Sequence, residues 1–280
     1  MPAARTEDRA RQEEIARQIR RDIVKSTTAA GSGHPSTSLS MVEVLTALFF
    51  GGVLRYDASE PKHPDRDRFI LSKGHGAPGL YAALAEAGYF PAEDLTTLRK
   101  LGSPLEGHPN MCRLPGVEAS TGSLGQGLSI GVGHALAARV DGRDYRVYVM
   151  VGDGESQEGQ VWEAVMYAGN RGLDNLTLIL DHNGYQQTDA VDRVQPLDPL
   201  GPKFESFGWS STEIDGHSLD EVHGAFSWAR ETTGAPQAII ARTVKGKGVS
   251  LLEETPAKWH GKPLAADDEE KALEEIGASR

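Results

Sequence analysis

The stretch that decides the fold is Val147-Tyr148-Val149-Met150-Val151-Gly152-Asp153-Gly154-Glu155, followed by Leu176-Thr177-Leu178-Ile179-Leu180-Asp181-His182-Asn183. Each begins as a short apolar run and stops abruptly at a polar residue. That pattern predicts two buried strands, one ending at Asp153 and the other near Asn183. Between them, Gly159 to Gly172 places Val161, Val165, Met166 and Ala168 at helical spacing, so the unit reads β-α-β. A right-handed crossover lays the two strands parallel, with both carboxyl ends on one edge of the sheet. Open α/β folds bind their ligands at that edge.

Asp153 brings a carboxylate to the edge and Asn183 an amide oxygen. The turn after Asn183 can add a backbone carbonyl, with Tyr185 as the candidate. Three oxygens suit octahedral Mg²⁺, which completes its shell with waters and phosphate oxygens. Gly152 and Gly154 remove side chains beside the metal and let a diphosphate approach the backbone. Gly-Asp-Gly alone also makes ordinary turns. A strand, Gly-Asp-Gly, a helix, a second strand and an Asn thirty residues after the Asp form a far more specific signal.

This stretch resembles the thiamine diphosphate motif, and five further segments are similar to transketolase motifs in transketolase order. They are Ser32-Gly33-His34-Pro35, Leu71-Ser72-Lys73-Gly74-His75-Gly76, Glu106-Gly107-His108-Pro109, Ser120-Thr121-Gly122-Ser123-Leu124-Gly125-Gln126-Gly127 and Trp259-His260-Gly261-Lys262-Pro263-Leu264. The resemblance implies an α/β fold: a single thiamine diphosphate-binding domain over 1–280, with a mostly parallel sheet flanked by helices. Residues 1–30 are expected to hold an amphipathic amino-terminal helix and 265–280 a peripheral tail. The implied cofactors are thiamine diphosphate and Mg²⁺, with Ca²⁺ or Mn²⁺ able to substitute.

The resemblance also implies roles for particular residues. His34 is placed to contact a sugar, Thr37 lies near the cofactor, and Gly122, Ser123 and Leu124 line its aminopyrimidine ring. Asp153, Asn183 and Tyr185 hold the metal, while Gly154 and Glu155 continue that motif onto the cofactor. Lys245 and His75 are expected beside the cofactor, with His260 beside both cofactor and donor sugar. Glu158 and Glu163 match glutamates that couple active sites across the family's dimer, Glu158 being the stronger candidate. Solvated helix carboxylates are the ordinary alternative for both. The nucleophile belongs to the cofactor, so the protein must hold the diphosphate, exclude water and shuttle protons. His34, His75, His108 and His260 share that last task, because imidazole ordinarily titrates near neutral pH.

Bulk properties bound the partners. With 280 residues and a net charge of −11, the chain lacks the basic balance expected of a nucleic-acid or anionic-membrane binder. Cys112 is the only cysteine, which removes internal disulfides and Cys-based zinc sites and fits a reducing cytoplasm. Neither a secretory h-region nor a membrane-spanning apolar run is present in the sequence.

The resemblance stops where the family's first domain stops. Its activating glutamate and most of its acceptor-phosphate ligands lie on later domains. The expectation is therefore the amino-terminal subunit of a split transketolase, working as α₂β₂ with a separate carboxyl-terminal, pyrimidine-binding subunit. It would transfer a two-carbon ketol unit between sugar phosphates. Two alternatives keep the cofactor: a specialised two-carbon transferase acting on an acyl carrier or modified sugar, and a 2-oxoacid dehydrogenase α subunit. A degenerate binding module is the reading without catalysis.

Further elements are predicted as helices over 7–30, 39–50, 77–87, 91–101, 125–140, 218–231 and 265–279, and strands over 68–71, 209–214 and 238–242. Pro64 to Arg68 reads as a solvated, salt-bridged loop, and the glycines of 125–140 as packing positions.

Overall fold

Five parallel strands carry the molecule, and their burial explains why they form. In the computed structural model, which describes residues 6–187 and 189–278, these are β1 (Arg68–Leu71), β2 (Val147–Gly152), β3 (Leu176–His182), β4 (Ser210–Asp215) and β5 (Gln237–Arg242). Their spatial order is β1-β2-β3-β5-β4, with every pairing parallel. A parallel sheet covered on both faces needs near-continuous apolar strands, and β2 is buried at every position. The strand period of two divides it: Tyr148 and Met150 enter one core, Val147, Val149 and Val151 the other.

The first core is closed by α1 (Arg9–Ala30), α2 (Pro35–Leu39), α3 (Val42–Phe50), α4 (Ala77–Glu86), α9 (Leu219–Glu231) and α11 (Ala266–Ala278); the second by α5 (Gln126–Val140), α6 (Gly159–Asn170) and α8 (Leu200–Ser206). Two short helices, α7 (Val191–Val194) and α10 (Ser250–Glu254), lie in connections. The β2-α6-β3 unit is as expected, with β2 ending one residue before Asp153 and β3 one residue before Asn183.

Several expectations are corrected. The helix expected over 39–50 begins only at Val42; Leu39 ends the separate α2, and between them the Ser40 hydroxyl turns to the Asp181 carboxylate, 2.7 Å away. Residues 92–97 form a 3₁₀ turn rather than a helix over 91–101. Asp67 is not a solvated loop residue: it is buried and accepts from the backbone amides of Arg55 and Arg146. On α1, Arg20 is buried and pairs with Glu43 at 2.6 Å. The tail helix α11 packs Ala272 and Ile276 into the first core, and so is less peripheral than its charge suggested. Residues 1–5 of the expected amino-terminal segment and 279–280 of the tail lie outside the described residues. Among the α5 glycines, a Cβ at Gly131 would lie 2.4 Å from Val149, whereas Gly133 faces open space. No helix among the described residues is long and apolar enough to cross a membrane.

Candidate active site

Because all five strands are parallel, their carboxyl ends deliver Ser72, Asp153, Asn183 and Thr243 to one edge. A cavity of about 480 Å³ opens there, lined among others by His34, Thr37, Lys73, His75, His108, Gly122 and Leu124, and by Asp153, Gly154, Glu155, Glu158, Asn183, Tyr185, Lys245 and His260. That volume falls in the range of small-molecule and cofactor sites. Of the residues singled out from sequence, Ser123 is exposed and is not among those lining the cavity, and Glu163 is exposed on α6.

Asp153 is 2% exposed and its carboxylate receives two backbone amides, Gly154 N at 2.7 Å and Gly184 N at 2.6 Å. Burial, and next the nearby Asp181 charge, push it up to about 7. A carboxylate under that pressure is stabilised in its ionised form by a cation. Asn183 stands beside it with its Nδ2 donating to Asp181 at 3.0 Å and its Oδ1 accepting from Tyr185 N at 3.2 Å. The donor set of one carboxylate, one amide oxygen and a loop backbone fits a hard divalent cation. Asp153, Asn183 and Tyr185 would hold it, and the adjoining glycine backbone leaves room for a diphosphate.

Glu155 lines the cavity and also braces it. Its Oε1 accepts from Ser72 Oγ at 2.5 Å and Gly125 N at 2.9 Å, and its Oε2 from Gly152 N at 3.0 Å. It braces the ends of β1 and β2 to the start of α5. Glu158 occupies the N-cap position of α6 at the cavity wall, without a side-chain capping bond.

The opposite wall is a histidine cluster. The rings of His34, His75 and His260 lie 5.1, 5.2 and 5.6 Å apart, centroid to centroid. Burial drives His34 and His260 down to about 4 and His75 well below its usual range. His108 shifts the same way through burial and then the Arg99 charge. The near-neutral titration assumed from sequence is thus displaced: these rings are neutral hydrogen-bonding groups in the folded chain. Lys245, pushed down to about 8 by burial, donates to His260 Nδ1 at 2.9 Å. Gly122, at a φ of 141°, lets its backbone approach His108, whose ring would sit 2.7 Å from any Cβ there.

Three contributors were not singled out from sequence. Arg99 lies in the left-handed region at a φ of 57°. It donates to Ser32 Oγ at 2.9 Å and Gly107 O at 3.4 Å, tying together the loops that carry His34 and His108. Lys73 was quoted only as part of a motif. Its Nζ donates to Thr37 O and Oγ1, both at 3.1 Å, and to Asp181. Asp181 is 1% exposed and anchors this network.

The family comparison agrees with this geometry. A family model described as transketolase, thiamine diphosphate binding domain, matches residues 11–279. The chain belongs to the transketolase family. It is 45% identical over 264 residues to rat (Rattus norvegicus) transketolase, covering 94% of this chain and 41% of that protein. It is 46% identical over 235 residues to the 6-deoxy-6-sulfo-D-fructose transketolase subunit SqwG of Clostridium sp. (strain MSTE9), covering 84% and 85%. Transketolase from Campylobacter jejuni superposes with a TM-score of 0.90 at 33% identity, over 97% of this chain and 43% of that one. The chain therefore spans about two fifths of the full-length transketolases it matches.

Proposed function

We propose that this chain is the amino-terminal, diphosphate-binding subunit of a Mg²⁺-dependent transketolase that moves a two-carbon ketol unit from a ketose phosphate to an aldose phosphate. The observation that carries the reading is one cavity in which the Asp153–Asn183 pair faces the neutral His34–His75–His260 cluster. Bound thiamine diphosphate supplies the nucleophilic carbon for ketol transfer. Asp153, Asn183 and Tyr185 hold Mg²⁺, and Lys245 offers a charge to the diphosphate. Thr37, Gly122 and Leu124 shape the pocket. The histidines accept and return protons at the sugar hydroxyls, and their neutral state suits base and hydrogen-bonding roles.

The separate partner rests on SqwG, a subunit of which the matched region covers 85%. A carboxyl-terminal, pyrimidine-binding subunit would complete the site in an α₂β₂ assembly, with Glu158 at the coupling interface. That same relative supplies a second reading, a specialised enzyme for a modified sugar. The histidine cluster argues against a 2-oxoacid dehydrogenase α subunit. The test is reconstitution with a carboxyl-terminal transketolase subunit, followed by ketol transfer to ribose 5-phosphate from xylulose 5-phosphate or a 6-sulfonated ketose. Activity only in the complex supports the split enzyme, and the better donor chooses between the readings. Enzyme-like rates from the chain alone would rule out the need for a partner.

A further inference from the structure

Metal-ligating amides present two nearly isosteric faces, only one of which binds a cation. Asn183 must show Oδ1 to the cavity, its own shape does not secure that, and on the oxygen side it has only the long 3.2 Å bond from Tyr185 N. The neighbour two residues back along β3, on the same face of the strand, is Asp181. It does not line the cavity. Its Oδ2 accepts from Lys73 Nζ, from Asn183 Nδ2 at 3.0 Å and from the Ser40 hydroxyl at 2.7 Å, and its Oδ1 accepts from the Thr243 hydroxyl at 2.6 Å. An ionised carboxylate only accepts, so the single group of Asn183 that can face it is the NH₂. A flipped amide would set oxygen against oxygen in a buried place.

We infer that Asp181 is a positioning residue for the metal site: through the Lys73–Ser40–Thr243 cradle it locks the Asn183 amide with its oxygen toward Asp153. The inference rests on the metal role given above to Asp153 and Asn183. Outer partners of metal ligands typically govern roughly 10- to 100-fold of metal affinity.

The test exploits symmetry. A carboxylate has no wrong face, so an aspartate at 183 needs no such lock. The cycle comprises the wild type, Asp181→Ala, Asn183→Asp and the double variant, each as the full purified chain, with Mn²⁺ affinity read by electron paramagnetic resonance and folding by circular dichroism. Asp181→Ala should weaken Mn²⁺ binding at least about tenfold beside Asn183, whereas beside aspartate, whose second oxygen faces the Asp181 carboxylate, it should leave binding unchanged or strengthen it. An equal loss in both backgrounds, or no loss in a folded Asp181→Ala chain, overturns the inference. If Asp181→Ala fails to fold because Lys73 is left unpaired, Lys73→Met/Asp181→Leu removes both charges together, and the same pair of comparisons decides. Asp153→Ala is the control: unchanged Mn²⁺ affinity there refutes the metal reading and this inference with it. Loss there, with no background dependence at Asp181, refutes the inference alone.

Discussion

Replacing Asp22 by Asn should stabilise the protein, most of all at neutral and alkaline pH. Asp22 sits on α1, 8% exposed, with Oδ1 accepting from Gln18 at 2.9 Å and Oδ2 buried without a hydrogen-bond partner. Burial is the first cause and the Glu86 charge the second of a rise from 3.8 to about 6. Gln18, Lys25 and Arg21 oppose it incompletely. That rise corresponds to about 3 kcal/mol. Solvent screening at the helix edge and the amide's own unmet donor reduce the expected gain to about 1–2 kcal/mol at pH 8. The sign follows from proton linkage: the native state holds the Asp22 proton more tightly than the unfolded chain. Its contribution is full below about pH 4 and is lost as pH rises through about 6. Asparagine has no such dependence. Urea unfolding followed by tryptophan fluorescence should show the variant more stable at pH 8, with about half of the advantage gone at pH 5. No gain at pH 8, or the same gain at both, would refute the argument.

Three further outcomes follow from the packing and the site. Gly169→Ala places a Cβ 1.8 Å from the Phe207 carbonyl oxygen, and the urea midpoint should fall by the equivalent of about 3 kcal/mol. Arg99→Met releases the loops of His34 and His108, and kcat/KM for ketol transfer in the assembled enzyme should drop roughly 10- to 100-fold. Its unfolding free energy should move by no more than about 0.5 kcal/mol. Binding of inorganic pyrophosphate, measured by calorimetry, should weaken as pH rises through about 8 and Lys245 loses its charge. Lys245→Met should bind weakly and without that step.

The sheet and the arrival of Asp153 and Asn183 at its edge were legible because their causes are local. The runs at 147–152 and 176–180 are apolar but for Thr177 and end at polar residues, and Asp153 and Asn183 inherit the sheet edge from that pattern. What escaped reading was made by distant chain segments. Asp181 looks like any polar residue closing a strand until Lys73, Ser40 and Thr243 meet around it. The break at Ser40-Met41 carries no glycine or proline to announce it, and its hydroxyl meets a carboxylate 141 residues away. The depressed histidines follow from burial and mutual proximity, which no single motif reports. Glu155 lines the cavity as its place in the sequence suggests, but the motif does not report that its oxygens also hold the wall.

The Asp181 cradle also sets an order of events for a nascent chain. Its partners lie 141, 108 and 62 residues away along the polypeptide, and contacts of such separation form late and slowly. Ser40 and Lys73 leave the ribosome early, whereas Thr243 emerges only after β5 has been made. Until then a buried-to-be carboxylate and lysine remain hydrated, and the neighbouring amide has no fixed orientation. On the proposed role of Asn183, metal capture waits for the completed sheet, and fragments truncated before β5 should fail to load cofactor however well their own motif is preserved.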